Sequence, residues 1–138
     1  MAATSTKRKN SANAQRGEKN RKWGAEAERI ATDYFITAGY TVRENNWKSG
    51  KAEIDLILEK DRTIIFVEVK ARKPETQDPV DAVDRKKRQM IMRAADSYMS
   101  HLQVLYEYRF DIFVVIGDPD NYKTAHYPDT IMPTVNNR

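Results

Sequence analysis

At 138 residues, with 40% hydrophobic and 32% charged residues and a net charge of +4, the chain predicts one domain with a modest core. The absence of cysteine excludes disulfides and thiolate metal sites, and with only His101 and His126 a histidine-rich zinc centre is disfavoured, so any metal would be held by oxygen, as magnesium or manganese is. No apolar run approaches the roughly 18 residues that cross a bilayer, and residues 1–22 contain no signal-peptide core, so the expectation is a soluble, cytoplasmic protein with no membrane partner.

Residues 1–22 carry seven basic side chains against Glu18 alone, a net of +6, which leaves −2 on the other 116 residues. The segment has no apolar residue larger than alanine after Met1, so it predicts a disordered basic tail ahead of a single domain over 23–138. Such a tail serves either as a polyanion-binding arm or as a solubilising terminus. Trp23, Ala27, Ile30, Ala31, Tyr34, Phe35 and Ala38 then recur at helical spacing, with Gly39 as the stop. Glu28 stands at the border of that stripe, either solvated or turned toward a sheet edge.

A short strand over Tyr40–Glu44 and a polar connection from Asn45 to Lys51 lead into the most informative stretch. Two β-type runs, Glu53–Leu58 and Thr63–Lys70, flank a turn at Glu59–Arg62. Side chains alternate along strands, and an antiparallel hairpin with an even-numbered loop sets odd residues of the first strand opposite even residues of the second. That parity puts Asp55 on one face with Glu68, Lys70 and Arg72. A Glu-x-Lys pair on a strand is also what a solvated face gives. Here, however, Ile64 and Phe66 share the charged face while Ile65, Val67 and Val69 take the other, so the strand reads as covered on both sides. Two carboxylates and a lysine in such a strand call for a bound partner, either a divalent cation or a phosphate.

Beyond a loop at 73–77, Asp78 and Pro79 read as N-cap and first turn of a helix. Its apolar face, Val80, Val83, Met90, Ile91, Ala94, Tyr98 and Leu102, is interrupted by Lys87, whose amine reaches either an anion or solvent. Arg109–Gly117 is a near-continuous apolar run, predicted to be a buried parallel strand reached by the helical crossover. The order is αβββαβ, with a possible edge strand near Ala125–Tyr127.

These residues resemble the YraN-type uncharacterised bacterial family (uncharacterised protein family 0102), itself similar to the PD-(D/E)XK nucleases and their Holliday-junction-resolvase-like branch. The resemblance covers roughly residues 24–117 and is carried by Glu28 with Ala31 and Tyr34, Gly39-Tyr40, Asn46-Trp47, Glu53-Ile54-Asp55-Leu56, Phe66-Val67-Glu68-Val69-Lys70 with Arg72, Ala82-Val83 with Lys87, and Arg109-Phe110-Asp111. Ala27 and Ala52 stand where the family usually has glycine, while every acid and the lysine are in place. The resemblance implies a restriction-endonuclease-like α/β fold, a mixed central sheet flanked by helices. It implies metal-binding acids at Asp55 and Glu68, a catalytic lysine at Lys70 and an accessory glutamate at Glu28, with Mg²⁺ or Mn²⁺ as cofactor. Lys51, Arg72 and Lys87 are the candidate phosphate contacts. The activity so implied is endonucleolytic cleavage of nucleic acid, with DNA favoured, branched DNA a candidate substrate and a homodimer the candidate assembly. The rival is a non-catalytic nucleic-acid-binding module on the same fold.

Overall fold

The computed structural model describes residues 2–74 and 85–130, with side chains from residue 12 onward. A long helix, α1 (Ala2–Thr37), leads into three antiparallel strands, β1 (Thr41–Ser49), β2 (Ala52–Lys60) and β3 (Thr63–Arg72). A second helix, α2 (Arg85–Ser100), crosses to β4 (Glu107–Asp118), and β5 (Asn121–Tyr127) closes the sheet. The strand order is β1-β2-β3-β4-β5, antiparallel except for the parallel β3–β4 pair. The result is a mixed α/β domain with the expected αβββαβ core. The near-continuous apolar run of β4 is buried because α1 covers one face of the sheet and α2 the other.

On the α2 side, Ile57, Ile64, Phe66, Ile112 and Val114 pack with Ile91, Ala94 and Tyr98. On the α1 side, Leu56, Leu58, Ile65, Val67, Phe113 and Val115 pack with Ala27, Ile30, Ala31 and Phe35. The opposed faces of β3 therefore alternate as its sequence requires. Gly39 terminates α1 with φ 94°, which lets Tyr40 N–H close back on the Phe35 carbonyl at 2.9 Å. Gly117 is needed for space as well as for its φ of 130°, since a Cβ there would come within 2.3 Å of the Asn121 carbonyl oxygen.

Four sequence expectations are amended. First, α1 runs back through residues expected to be a disordered tail. Ala, Lys, Arg and Gln are good helix formers and Lys22 pairs with Glu18 at 3.5 Å, and among the described side chains of α1 those that pack against the sheet begin at Trp23. Second, β1 continues through Asn45 to Ser49, because Trp47 pairs with Ile54 and packs into the core on the α2 side. Third, the β2–β3 turn is two residues, Asp61 and Arg62, both at positive φ (53° and 60°) as in a type I′ hairpin, and the even count keeps the expected parity. Fourth, α2 ends at Ser100, short of Leu102, which still packs on the core. The expected helix start at Asp78-Pro79, with Val80 and Val83, lies outside the described residues.

At the C-terminal end, Asp111 of β4 is fully buried and ties neighbouring segments together. It accepts hydrogen bonds from Arg109 Nε at 3.0 Å, His126 Nε2 at 2.7 Å and the Asp129 N–H at 2.9 Å. Arg109 in turn donates to Tyr40 Oη at 3.0 Å, and Tyr34 Oη lies 3.3 Å from His126 Nδ1. Burial would raise the Asp111 carboxyl, but the hydrogen bonds from His126, Arg109 and the Asp129 amide outweigh it and hold the group below the usual carboxylate range.

Candidate functional site

The site originates in a break between two strands. Regular β2–β3 pairing runs from Lys60↔Thr63 to Leu56↔Val67 and stops there. Ile54 packs on the α2 side whereas Leu56, two residues on, packs on the α1 side, so the alternation of β2 slips at Asp55. In the gap, the Asp55 side chain does the work of the missing ladder, its Oδ2 accepting the Val69 N–H at 2.8 Å. The opening forms a cleft of about 470 Å³ between the two helices, lined by Glu28 from α1, Lys51 and Asp55 from the β1–β2 hairpin, Glu68 from β3 and Lys87 from α2.

Burial and the neighbouring Glu68 carboxylate push the Asp55 carboxyl up to about 8, against the opposing pull of the Val69 N–H, and the two side chains share a hydrogen bond. Glu68 itself is only 6% exposed. Its Oε2 receives Lys70 Nζ at 3.4 Å and is in direct contact with Lys87 Nζ. Lys70 is as buried as Glu68, and its amine is lowered by desolvation, which the Glu68 carboxylate only partly offsets. The interruption of the α2 stripe by Lys87 thus has its explanation in Glu68, the anion on the sheet face beneath it. Glu28 approaches from α1; burial raises its carboxyl, a hydrogen bond from Asn46 pulls the other way, and the charges of Glu53 and Glu68 raise it further.

The structure therefore brings Asp55, Glu68, Lys70 and Lys87 into one hydrogen-bonded group, with Glu28 and Lys51 on the walls of the same cleft. Arg72 is close enough to lower Lys70 by its charge, but it bonds the Ala71 carbonyl at 3.1 Å and does not line the cleft. Sequence reasoning missed Asn46 as the partner of Glu28. Its composition signalled a turn, and only the Trp47↔Ile54 pairing reveals that β1 carries it to the site.

The donor set suits a hard divalent cation, since two adjacent carboxylates that repel each other are relieved by one, and Mg²⁺ characteristically takes one or two carboxylates with water and phosphate completing its shell. Among the described residues no three acidic or histidine side chains form a ready-made cluster, so Asp55 and Glu68 are the pair to consider.

Fold and site together define a mixed α/β domain with an αβββαβ core whose acidic pair and lysines meet where two central strands part. Residues 27–115 match the uncharacterised protein family UPF0102. The chain belongs to that family. A UPF0102 protein of Bacteroides thetaiotaomicron is 36% identical over 111 residues, covering 80% of this chain and 92% of its own. Another from Caldicellulosiruptor bescii is 38% identical over 104 residues, covering 73% and 87%, and one from Flavobacterium psychrophilum is 33% identical over 107, covering 77% and 90%. The matched region begins in the packed half of α1 and ends in β4, so it includes every residue of the cleft except Gly24. Among the described residues no helix is long and apolar enough to cross a membrane.

Proposed function

We propose that the chain is a divalent-cation-dependent endonuclease that hydrolyses phosphodiester bonds, with DNA as the favoured substrate. The observation that carries this reading is the buried Asp55–Glu68 pair with Lys70 and Lys87 on the same carboxylate, in the cleft where β2 and β3 part. Structural ion pairs rarely place two carboxyls side by side in a semi-buried gap, because one of them must then hold a proton or a cation.

Asp55 and Glu68 would hold Mg²⁺ or Mn²⁺, which when bound polarises a phosphodiester oxygen and acidifies an attacking water. Lys70, fixed by burial and by Glu68, supplies positive charge where the pentavalent phosphorus develops negative charge. Lys87, on Glu68 Oε2 in the structure, would be the cation nearest the pair that could turn to a substrate phosphate. The Val69 N–H holds the Asp55 carboxylate in one orientation, and Glu28 with Asn46 orders water on the α1 wall.

The internal pairing of Glu68 with two lysines favours one rival, a binding module in which ammonium groups permanently take the cation's place. Purified protein incubated with duplex, single-stranded and four-way-junction DNA, and with the RNA equivalents, in Mg²⁺, Mn²⁺ or EDTA separates the two. Cleavage that requires metal supports the nuclease, and metal-independent binding without any product supports the module.

A further inference from the structure

A second groove, of about 390 Å³, adjoins the cleft and shares Lys51, Ala52 and Met90 with it. Its remaining polar walls are Ser49 at the end of β1 and Lys86 and Arg93 on α2. The helix dictates this arrangement: Lys86, Met90 and Arg93 follow one another at four and three residues, so they form a single stripe beside the stripe of Lys87, Ile91 and Ala94 that faces the core. Among the described residues no carboxylate lines the groove, and Lys51, Lys86 and Arg93 make no ion pair there, in contrast to Lys70 and Lys87 in the cleft. The cations of one wall are thus neutralised by Glu68 and those of the other are left to solvent.

We infer that this groove is a track for the sugar-phosphate backbone of duplex DNA, carrying the strand away from the cleft past Lys51 toward Arg93. The inference rests on the nuclease reading of the cleft and adds to it a direction and a set of contacts. Arg93 is seven helical steps beyond Lys86, about 10 Å along the axis, which matches roughly three base steps of about 3.4 Å each. Lys51 stands at the junction of the two cavities, in line between them. The groove's apolar lining is Ala52, Ala94 and the unbranched Met90, side chains that leave room beside the cations. Among the described residues no aromatic ring or amide side chain lines it, so these walls offer neither a stacking platform for unpaired bases nor a donor-acceptor pair to read base edges. Contacts of this kind fix register and orientation without selecting sequence.

The test is binding of a labelled 20-base-pair duplex by the full-length chain in EDTA across a salt series, comparing wild type, K86Q/R93Q and K123Q. Lys86, Arg93 and Lys123 are all exposed, so the variants should melt as the wild type does, and Lys123 lies on the β5 edge, outside the groove. The expected result is that K86Q/R93Q lowers the slope of log affinity against log salt by about 1.8, at about 0.9 per phosphate, and weakens binding about tenfold at moderate salt, while K123Q changes neither. In Mg²⁺, the same double variant should raise KM and leave the rate at saturating DNA near wild type. If K86Q/R93Q binds as K123Q does while the wild type binds and cleaves, the track is wrong and the nuclease reading stands. A wild type that does not bind duplex even at low salt overturns both.

Discussion

The acidic pair makes a counterintuitive demand on stability. In the absence of a divalent cation, Asp55→Asn should stabilise the protein above neutral pH. A carboxyl whose folded-state value is raised from 3.8 to about 8 binds a proton in the native state that the unfolded chain has already released. Its contribution is complete below pH 4 and is lost as pH rises toward 8, with a limiting slope of about 1.4 kcal/mol per pH unit. Part of that loss is taken up by rearrangement of Lys87 around the carboxylates, so the net gain from neutralising Asp55 at pH 8 is about 1–3 kcal/mol, the range seen when buried charges are replaced by neutral groups. Asparagine retains an oxygen for the Val69 N–H, so the backbone at the strand break stays satisfied. Urea unfolding in EDTA at pH 5, 6.5 and 8 reads this directly. Wild-type stability should fall across the series, the variant should be nearly flat, and the curves should cross. A variant less stable than wild type at pH 8 by more than about 1 kcal/mol, or a flat wild-type profile, would refute the reasoning.

Asp111 should behave with the opposite sign. Its carboxyl is held below the usual range, so its stabilisation is present above about pH 4 and disappears as pH falls through its folded-state value. Asp111→Asn, which strands Arg109 and His126, should cost about 2–4 kcal/mol by thermal or urea melting at pH 7. Lys87→Gln removes an ammonium that competes for Glu68 Oε2; calorimetric titration should show tighter Mn²⁺ binding without nucleic acid, and weaker binding would mean that Lys87 orders the carboxylate instead. Deleting residues 2–22, which carry seven cations, should lower affinity for any duplex and make its salt dependence shallower, by about 0.9 for each phosphate that the segment neutralises. Unchanged affinity and slope would make the segment a passive terminus.

How far this site could be read from the sequence depended on local rules. The two-residue period placed Glu68 and Lys70 with Phe66, and the even loop set the β2–β3 register that runs as far as Leu56↔Val67, one position short of Asp55, because neither depends on tertiary packing. The apolar run of β4 announced a parallel, doubly covered strand for the same reason. What escaped were features fixed across long sequence separations. Asn45 and Asn46 carry turn composition, but the burial of Trp47 against Tyr98 draws them into β1. The slip at Asp55 leaves no mark in composition, since Ile54 and Leu56 are both simply apolar, and only packing against opposite helices distinguishes them. Lys86 and Arg93 carry no sequence signal of a groove, because its opposite wall comes from the β1–β2 turn. Asp111 was visible as part of an Arg-Phe-Asp run, yet its partner His126 lies on an edge strand 15 residues away, beyond the reach of any local pattern.

Single-turnover cleavage of duplex and four-way-junction DNA by wild type and Asp55→Asn, in Mg²⁺ and in EDTA, tests the central claim most directly, because the variant is expected to be folded and any loss is then chemical. The account predicts metal-dependent product from the wild type, none in EDTA, and a loss of at least about a hundredfold, or roughly 2.7 kcal/mol of transition-state stabilisation, in the variant. Cleavage by Asp55→Asn at the wild-type rate, or wild-type cleavage undiminished by EDTA, contradicts it.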